Sequence, residues 1–456
     1  MTRVLALDVG SSSARAAVFE ADASPVEGAT AQVVYSTPGE RDAQAELDPE
    51  QLVAASEAAV ERALAAGARV DAVAVSCFWH SLLPLDGSGR PLAPLLTWRD
   101  TRAAGHAEEL RRRLDADAVW RRTGAPLHPS FWPAKLAWLA ATQPDVFART
   151  ARFVSFGEYL AARLGGGTAT SVSMASGTGL LDQNRLCWDA ELLAELRLDV
   201  ARLPEISDER AGERTPWFPA AGDGACSNLG AGCTMRERAA LMVGTSGAVR
   251  VLWPAKRAEP ARGLFLYRLD QRRFVEGGSL SDGGNLYAWL AQTLRTTGAR
   301  GLADRPPDGH GLTFLALLGG ERSPGWNALA RGAVTGLTFA TTPDDLLQAA
   351  LEGVAYRFAE ILDLMPGVKE VVATGHALLV DPDWVQILAD VLERPVVASA
   401  VEEGSIRGAA VLALERLGET PAPAALGRVF DPRQERADPY RLARWRQRDL
   451  YEAVTR

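Results

Sequence analysis

The chain has 456 residues, 47% of them hydrophobic, which is enough for two or three domains with buried cores. Its 49 basic and 57 acidic residues give a net charge of −8, so no positive field favours nucleic acid or an anionic membrane. Small molecules are therefore the expected partners, and a homodimer is left open.

Arginine is the dominant cation, because the chain contains only three lysines. No glycine-rich loop ends in Gly-Lys-Ser or Gly-Lys-Thr, so phosphate would have to be bound by another kind of loop. The four cysteines form no C-x-x-C pair, which argues against a disulfide framework or structural zinc and favours a reducing cytoplasm. Neither a signal peptide nor a long apolar run is present, so we expect a cytoplasmic protein that does not span a membrane.

The first predicted element is a β-hairpin at the start of the chain. Val4 to Val9 is an apolar run, residues 10–13 form a Gly-Ser-Ser-Ser turn, and Ala14 to Phe19 is a second strand. Asp48 followed by Pro49 predicts the start of a helix. Asp71 to Cys77 is apolar without alternation, as in a strand covered on both faces. The first half is therefore predicted to be α/β.

The second half has a similar mixture of elements. The pattern predicts helices from Pro343, over Trp384 to Leu392 and over Ser405 to Leu417, with strands at Glu370 to Thr374 and Pro395 to Ala398. Both halves therefore combine hairpins with α/β crossovers.

The hairpin at the start of the chain is echoed half a chain later. Residues 9–14 read VGSSSA and residues 243–248 read VGTSGA, and an apolar run precedes each of them. The repeat predicts two domains, residues 1–236 and 237–456. The glycine-rich residues 221–232 are the expected hinge between them.

Asp8 ends the first strand beside a turn of small hydroxyl residues. Such a loop can wrap phosphate with its backbone N–H groups, while the carboxylate holds Mg²⁺ directly or through water. In isolation, Asp8 would more simply hydrogen-bond its own turn. The second hairpin favours a nucleotide bound between two such loops. The nucleotide candidates from this pattern are Asp8, Ser11, Ser12, Ser13, Gly244 and Thr245.

Asp223 lies at the domain junction between two glycines that allow a ligand to approach closely. It could instead cap a helix. Its position at the domain junction favours the interpretation that Asp223 is a general base, which accepts a hydroxyl proton as the oxygen attacks the γ-phosphate of ATP.

Two further loops could bind a polyhydroxylated substrate. Trp79 and His80 follow one predicted strand, and Trp98, Asp100 and Arg102 follow another apolar run. Core packing or a surface ion pair is the alternative for both loops. Gly375 and His376 follow a strand in the second half, where backbone could pass under an adenine or ribose.

Taken together, the motifs resemble the FGGY carbohydrate kinases, and the resemblance runs from Leu5 to about Leu417. It is carried, in the family's order, by residues 8–15 (DVGSSSAR), 98–102 (WRDTR), 222–224 (GDG), 244–246 (GTS), 351–355 (LEGVA) and 386–390 (QILAD).

The resemblance implies two duplicated actin-like ATPase domains, of ribonuclease H-like α/β fold, with a central cleft. It also implies Mg²⁺-ATP as the phosphoryl donor, Asp223 as the base, Asp8 and Asp223 near the metal, and Arg15 near the nucleotide.

Within the family, residues 79–83, 124–129 and 320–324 most resemble gluconate kinases, with xylulose kinases as the runner-up. Phosphorylation of gluconate to 6-phosphogluconate is the expected activity, with Arg99, Arg102 and His80 binding the carboxylate. A kinase for xylulose or another ketose or polyol is the alternative. A non-catalytic ATP and sugar sensor is a further one. The chain departs from the family at Trp79, where Met is usual, and at His376, which replaces the second glycine of the adenosine motif.

Overall fold

Two large mixed β-sheets flanked by helices organise the fold in a computed structural model, which describes residues 2–35, 43–65, 67–212, 215–296 and 298–455. The strands are β1 Val4–Val9, β2 Ser13–Phe19, β3 Pro25–Val34, β4 Glu46–Leu47, β5 Ala72–Cys77, β6 Leu83–Leu85, β7 Leu95–Leu96, β8 Arg152–Val154, β9 Leu181–Asp182, β10 Cys187–Trp188, β11 Ala221–Gly222, β12 Arg238–Val243, β13 Gly247–Pro254, β14 Phe265–Arg268, β15 Arg273–Leu280, β16 Thr313–Leu315, β17 Ala333–Thr335, β18 Glu370–Thr374, β19 Val396–Ser399 and β20 Leu426–Phe430.

The helices are α1 Pro49–Leu64, α2 Ala104–Arg113, α3 Ala116–Thr123, α4 Trp132–Thr142, α5 Pro144–Arg149, α6 Phe156–Leu164, α7 Val172–Ser176, α8 Ala190–Glu195, α9 Asp223–Gly230, α10 Gly284–Thr293, α11 Pro343–Asp363, α12 His376–Leu379, α13 Pro382–Leu392, α14 Gly404–Arg416 and α15 Ala437–Thr455. Every helix and strand predicted from the sequence is present, with ends that differ by one or two residues.

The two sheets share one order of connections. In the first sheet the strand order is β11-β5-β1-β2-β3, and β1 forms a hairpin with β2 while pairing in parallel with β5. In the second the order is β14-β15-β13-β12-β18-β19-β20, and β12 forms a hairpin with β13 while pairing in parallel with β18. The duplication read from the two Gly-Ser turns is therefore present in the topology, and the expected α/β fold is confirmed.

One helix from each half meets the other between the sheets. The helix α9 follows β11, and α14 follows β19, so the two occupy equivalent places in the two halves. Their backbones lie in contact, because a Cβ on Gly408 would lie 1.8 Å from the carbonyl oxygen of Cys226. The buried face of α14 also joins the core of the first sheet, so this core includes residues from beyond position 400.

Residues 221–232, the expected hinge, are part of this helix pair. They form β11 and α9 and are mostly buried. Rotation of one half against the other stays a prediction, and in this fold it would take place at a helix contact rather than in a loose linker.

A smaller, largely helical part of the first half lies between β5 and β11, with its own apolar cluster built around Trp132, Leu136 and Leu139. No helix in the described part of the chain is both long and apolar enough to cross a bilayer. The cysteines Cys77, Cys187, Cys226 and Cys233 are free thiols.

Candidate active site

Three parallel strands of the first sheet end at one edge and deliver the polar residues predicted from the sequence. Asp8 on β1 is level with Ser76 on β5, which is level with Ala221 on β11. Because parallel strands run in one direction, the residues that follow them emerge on the same side. The first hairpin turn, the loop with Trp79 and His80, and Asp223 are therefore brought together.

Asp8 is buried at the base of this edge. Its Oδ1 accepts a hydrogen bond from Ser76 Oγ at 2.7 Å, and its Oδ2 lies 3.5 Å from an Arg15 guanidinium nitrogen. Burial raises the pKa of Asp8, and the Ser76 hydroxyl opposes this shift. The adjoining turn is tight, since Gly10 N–H donates to Ser13 O at 3.0 Å. Ser11 and Ser12 are at least partly exposed beside it.

The second hairpin turn meets the loop after β18. Gly375 has a φ of 89°, and a Cβ there would lie 2.5 Å from the carbonyl oxygen of Val243 at the end of β12. The backbone of α10 completes the contact, because Asn285 N–H donates to Thr245 O at 3.0 Å. The predicted nucleotide residues Gly244, Thr245, Gly375 and His376 therefore lie together in the second half.

Glu403, which the sequence did not point to, connects these two groups of loops. Its Oε1 lies 3.2 Å from Arg15 Nε. Burial raises the pKa of Glu403, while the charge of Arg15 acts to lower it. The glutamate thus lies between the first hairpin and the loop after β18.

Asp223 is the first residue of α9, and Gly222 rather than Asp223 is the N-cap residue. Asp223 Oδ1 accepts a hydrogen bond from the Gly224 N–H at 2.7 Å. Burial raises the pKa of Asp223 to about 6, with the charge of Arg250 opposing the shift and that of Asp8 adding to it. A carboxylate with this pKa can exchange a proton near neutral pH.

Trp79 supports the backbone under Asp223. Its Nε1–H donates to Ser173 O at 3.0 Å. Its ring lies against Gly222 and Gly224, where a Cβ on Gly222 would come within 1.8 Å of the indole. Both glycines are therefore required for close packing with Trp79, and this indole packs beneath Asp223.

His80 lies beside Trp79 with a left-handed backbone of φ 69°. Its Nδ1 is hydrogen-bonded to Gly177 O. Burial, followed by the charge of Arg322, holds the pKa of His80 well below its usual range. The imidazole is therefore neutral at physiological pH.

A cavity of about 320 Å³ opens beside this cluster. Residues of both halves line it, among them Trp98, Arg99, His128, Ser281, Glu321 and Arg322. Sites of this size hold small polar ligands.

Three buried polar groups around Asp223 and the cavity have atoms without a hydrogen-bond partner within the described residues. They are Nε and one terminal nitrogen of Arg250, Nε of Arg322, and the hydroxyl of Tyr267. Arg322 also stacks on Trp98, with its guanidinium carbon 4.8 Å from the ring centroid. Burial lowers the pKa of both arginines, and the charge of Arg250 lowers that of Arg322 further. The two guanidinium groups therefore repel each other, and Asp223 is the acid among the described residues whose charge opposes both of them.

Asp100 and Arg102 flank Thr101, which lines the cavity, but they are engaged with other residues. Arg102 donates to both oxygens of Asp100, forms an ion pair with Glu46 and stacks on Trp138. Neither residue is among the described residues that line the cavity. The guanidinium of Arg102 is occupied by Asp100 and Glu46, so binding of a substrate carboxylate by Arg102 would require it to leave these partners.

Sequence reasoning missed Arg250, Tyr267 and Arg322 as site residues. Arg322 lies within the stretch 320–324 that resembles gluconate kinases, and Arg250 lies two residues after the second Gly-Ser turn motif. Both signals were present, but nothing in a linear pattern distinguishes a buried unpaired arginine from a surface one.

Glu352, in the LEGVA motif, belongs to a separate buried cluster. It accepts hydrogen bonds from Gln348 and Tyr356. His310 Nδ1 accepts the Leu312 N–H, so its Nε2 carries the proton and donates to Glu352. Asp308, next to this group, is ion-paired to Arg446, so the polar atoms of the cluster are hydrogen-bonded or ion-paired within the protein.

Comparison with known proteins assigns the chain to one family. Residues 3–217 match the N-terminal domain, and residues 239–415 the C-terminal domain, of the FGGY family of carbohydrate kinases. A gluconokinase of Bacillus subtilis is 28% identical, with 91% of this chain and 88% of the relative covered. A glycerol kinase of Rhodospirillum centenum is 33% identical, with 96% and 93% covered.

Solved structures agree with this assignment. A gluconate kinase from Lactobacillus acidophilus superposes with a TM-score of 0.90 at 27% identity, covering 99% of this chain and 98% of that one. A ligand-bound xylulose kinase from the same organism also gives 0.90 at 27% identity, covering 100% and 98%. The chain therefore belongs to the FGGY family of carbohydrate kinases and is a phosphotransferase.

Proposed function

We propose that the enzyme transfers the γ-phosphoryl group of Mg²⁺-ATP to the primary hydroxyl of a sugar acid, with gluconate as the substrate and Asp223 as the general base. The observation that carries the choice of an acid is the pair of buried arginines beside Asp223 and the cavity, Arg250 and Arg322, each with at least one guanidinium nitrogen that has no hydrogen-bond partner among the described residues.

Asp223 suits the role of base by position and by protonation. It begins a helix between the two sheets, and burial keeps its pKa at about 6. Above that pH the carboxylate is free to accept the hydroxyl proton as the oxygen attacks phosphorus. Arg250 balances its charge, which keeps the ionised form accessible in a buried setting.

The residues present fit Mg²⁺-ATP. The charge of Asp8 raises the pKa of Asp223, and a divalent cation bound by the two carboxylates relieves such repulsion. Asp8 and Asp223 would hold the cation, which neutralises charge on the phosphates when bound. Arg15 and the turns at Ser11 to Ser13 and at Gly244 and Thr245 would bind the phosphates. Gly375 and His376 would lie near the adenosine.

An anionic substrate would explain why Arg250 and Arg322 are buried side by side. Two buried guanidinium groups that share the single opposing charge of Asp223 repel each other, and a substrate carboxylate that binds between them offsets that repulsion. Arg322 stacks on Trp98 and lines the cavity, so it is placed to bind the end of the substrate remote from Asp223. A guanidinium grips a carboxylate through two parallel hydrogen bonds.

Xylulose is the second candidate substrate, favoured by the equal structural similarity to a ligand-bound xylulose kinase. A ketose would bring no charge to Arg322. Charge is therefore the property that separates the two candidates.

The experiment is an ADP-release assay on gluconate, D-xylulose, glycerol and D-glucitol, in which a hydroxymethyl group replaces the gluconate carboxylate, with products identified by mass spectrometry. We expect the highest kcat/KM for gluconate. A higher kcat/KM for xylulose or glycerol would overturn the sugar-acid assignment and leave the kinase standing. Sugar binding without ADP release from any compound would instead favour the sensor alternative.

Arg322→Gln tests the carboxylate contact. We expect kcat/KM for gluconate to fall by about tenfold to a hundredfold, the usual worth of a hydrogen bond to a charged group, and kcat/KM for D-glucitol to change little. Arg331→Gln is the matched control, because Arg331 lines the same cavity but donates to the carbonyl of Ala330. Equal losses on gluconate and D-glucitol would remove Arg322 from carboxylate recognition.

A further inference from the structure

The carbonyl oxygen of His80 accepts a hydrogen bond from a buried lysine. Lys135 Nζ lies 2.6 Å from His80 O, and the whole Lys135 residue is only 1% exposed. The other two lysines of the chain, Lys256 and Lys369, are exposed. A lysine is rarely buried unless its ammonium group is paired or hydrogen-bonded, so this contact calls for a reason.

The backbone that Lys135 holds is strained. His80 has a φ of 69°, a conformation that non-glycine residues adopt only when their surroundings enforce it, at about 1–3 kcal/mol. The next carbonyl, that of Ser81, accepts a hydrogen bond from Trp132 Nε1 at 2.8 Å. Lys135 and Trp132 are both on α4, so one helix holds two consecutive carbonyls of the loop that carries His80.

The imidazole of His80 faces the centre of the candidate site. Its ring centroid lies 5.5 Å from that of Tyr267, whose hydroxyl has no partner within the described residues. It also lies close enough to Arg322 for that charge to lower the pKa of His80. A change of the His80 backbone would therefore move an imidazole that lies beside Tyr267 and near Arg322, which lines the cavity.

Asp100 supplies the opposing charge for the lysine. Burial lowers the pKa of Lys135 to about 7, the charge of Asp100 acts against this shift, and that of Arg322 adds to it. Asp100 is itself 2% exposed and is paired with Arg102. The acid of the WRDTR motif thus has a function that does not require contact with the substrate.

We propose that Lys135 is a positioning residue for the sugar, whose ammonium group fixes the left-handed backbone of His80 and so sets the orientation of the imidazole in the sugar site. Lys135 does not itself touch the substrate. The proposal rests on the proposed kinase function, and it predicts that the sugar and the nucleotide respond differently to the loss of the lysine.

The test compares Lys135→Met, which keeps the length of the side chain without a donor, with Lys135→Gln, which keeps an uncharged donor. Both are assayed on whichever sugar the wild-type enzyme phosphorylates best. We expect Lys135→Met to raise KM for the sugar at least tenfold while KM for ATP changes less than threefold, and we expect Lys135→Gln to fall in between. A parallel rise in both KM values, or no rise for the sugar, would overturn the proposal.

The pH profile gives a second readout that a packing role would not move. The ionisable groups that face Lys135 are Asp100, Arg322, His80 and His128. As the ammonium loses its proton near pH 7, KM for the sugar should rise in the wild-type enzyme. Both variants should lack this rise, and its persistence in a folded variant would contradict the proposal. If neither variant folds, a wild-type KM that stays flat from pH 6 to 8.5 would overturn it.

The two proposals fail in different ways. A wild-type enzyme that phosphorylates none of the sugars refutes the proposed function. A wild-type enzyme that is active, with variants that bind sugar as tightly as it does, refutes only the role of Lys135.

Discussion

Arg15 and Glu403 form an ion pair between the two halves of the chain, with Arg15 Nε 3.2 Å from Glu403 Oε1. The same guanidinium lies 3.5 Å from Asp8. Arg15 thus connects the first hairpin to the start of α14 through an ion pair. A nucleotide phosphate that enters the site would compete with Glu403 for this cation.

This competition predicts that substitutions of Arg15 and of Glu403 have different effects on KM for ATP. Arg15→Gln should raise KM for ATP about tenfold or more, because a charged hydrogen bond to phosphate is lost. Glu403→Gln should leave KM for ATP unchanged or lower it, since the competing carboxylate is gone. Steady-state kinetics with ATP varied at saturating sugar would check both. An Arg15→Gln enzyme with the wild-type KM for ATP would exclude Arg15 from the nucleotide site.

Activity should depend on pH through Asp223. Its pKa is raised to about 6, so the base is protonated and inactive below that pH, and kcat/KM should rise with pH through about 6. Asp282 lies near the cavity with a pKa that burial also raises to about 6, and Asp282→Asn is therefore the control. This variant should keep the rise whatever its absolute rate. Loss of the rise in Asp282→Asn would assign it to Asp282 instead.

How far the sequence predicts this site depends on the kind of residue. Asp8 and Asp223 are readable from the sequence because Asp8 lies at the end of a strand before a Gly-Ser turn and Asp223 lies between two glycines, and such local patterns survive folding. The two Gly-Ser turns were equally readable, because a tight turn between strands needs small residues at fixed positions.

The arginines could not be assigned in the same way. Arg102 is paired with Glu46, which lies 56 residues earlier in the chain, and only the folded chain shows this contact. Arg250 and Arg322 come from a strand and a distant loop, and their lack of partners is a property of the assembled site. Pairing of charges is tertiary information, so the sequence pointed to Arg99, which lines the cavity, and to Arg102, which is paired with acids, but not to Arg250 or Arg322.

The turn after β18 depends on Gly375. Gly375→Ala should lower the melting temperature and raise KM for ATP, because the residue has a φ of 89° and a Cβ would lie 2.5 Å from Val243 O. The expected loss of stability is about 1–3 kcal/mol. Gly367→Ala is the matched control, since a Cβ there has no atom within 4 Å. Thermal melts of the two variants that coincide would contradict the account of this turn.

The contact between α9 and α14 should be intolerant of any side chain at Gly408. A Cβ there would lie 1.8 Å from the backbone oxygen of Cys226, so Gly408→Ala must push the helices apart. At an exposed helical position, replacing glycine by alanine usually stabilises by about 0.5–1 kcal/mol, and Gly105→Ala in α2 should do so. Chemical denaturation should therefore give changes of opposite sign. A Gly408→Ala protein as stable as the wild type would show that the helix contact is adjustable.

The most direct test of the mechanism is turnover of Asp223→Asn with ATP and the best sugar substrate. Asparagine keeps the size and much of the hydrogen bonding of the side chain but cannot accept the proton. We expect turnover to fall about a hundredfold or more, the usual contribution of a general base, with an unchanged circular dichroism spectrum. Turnover within a few-fold of the wild type, in a protein that is folded, would contradict the role of Asp223 as the base.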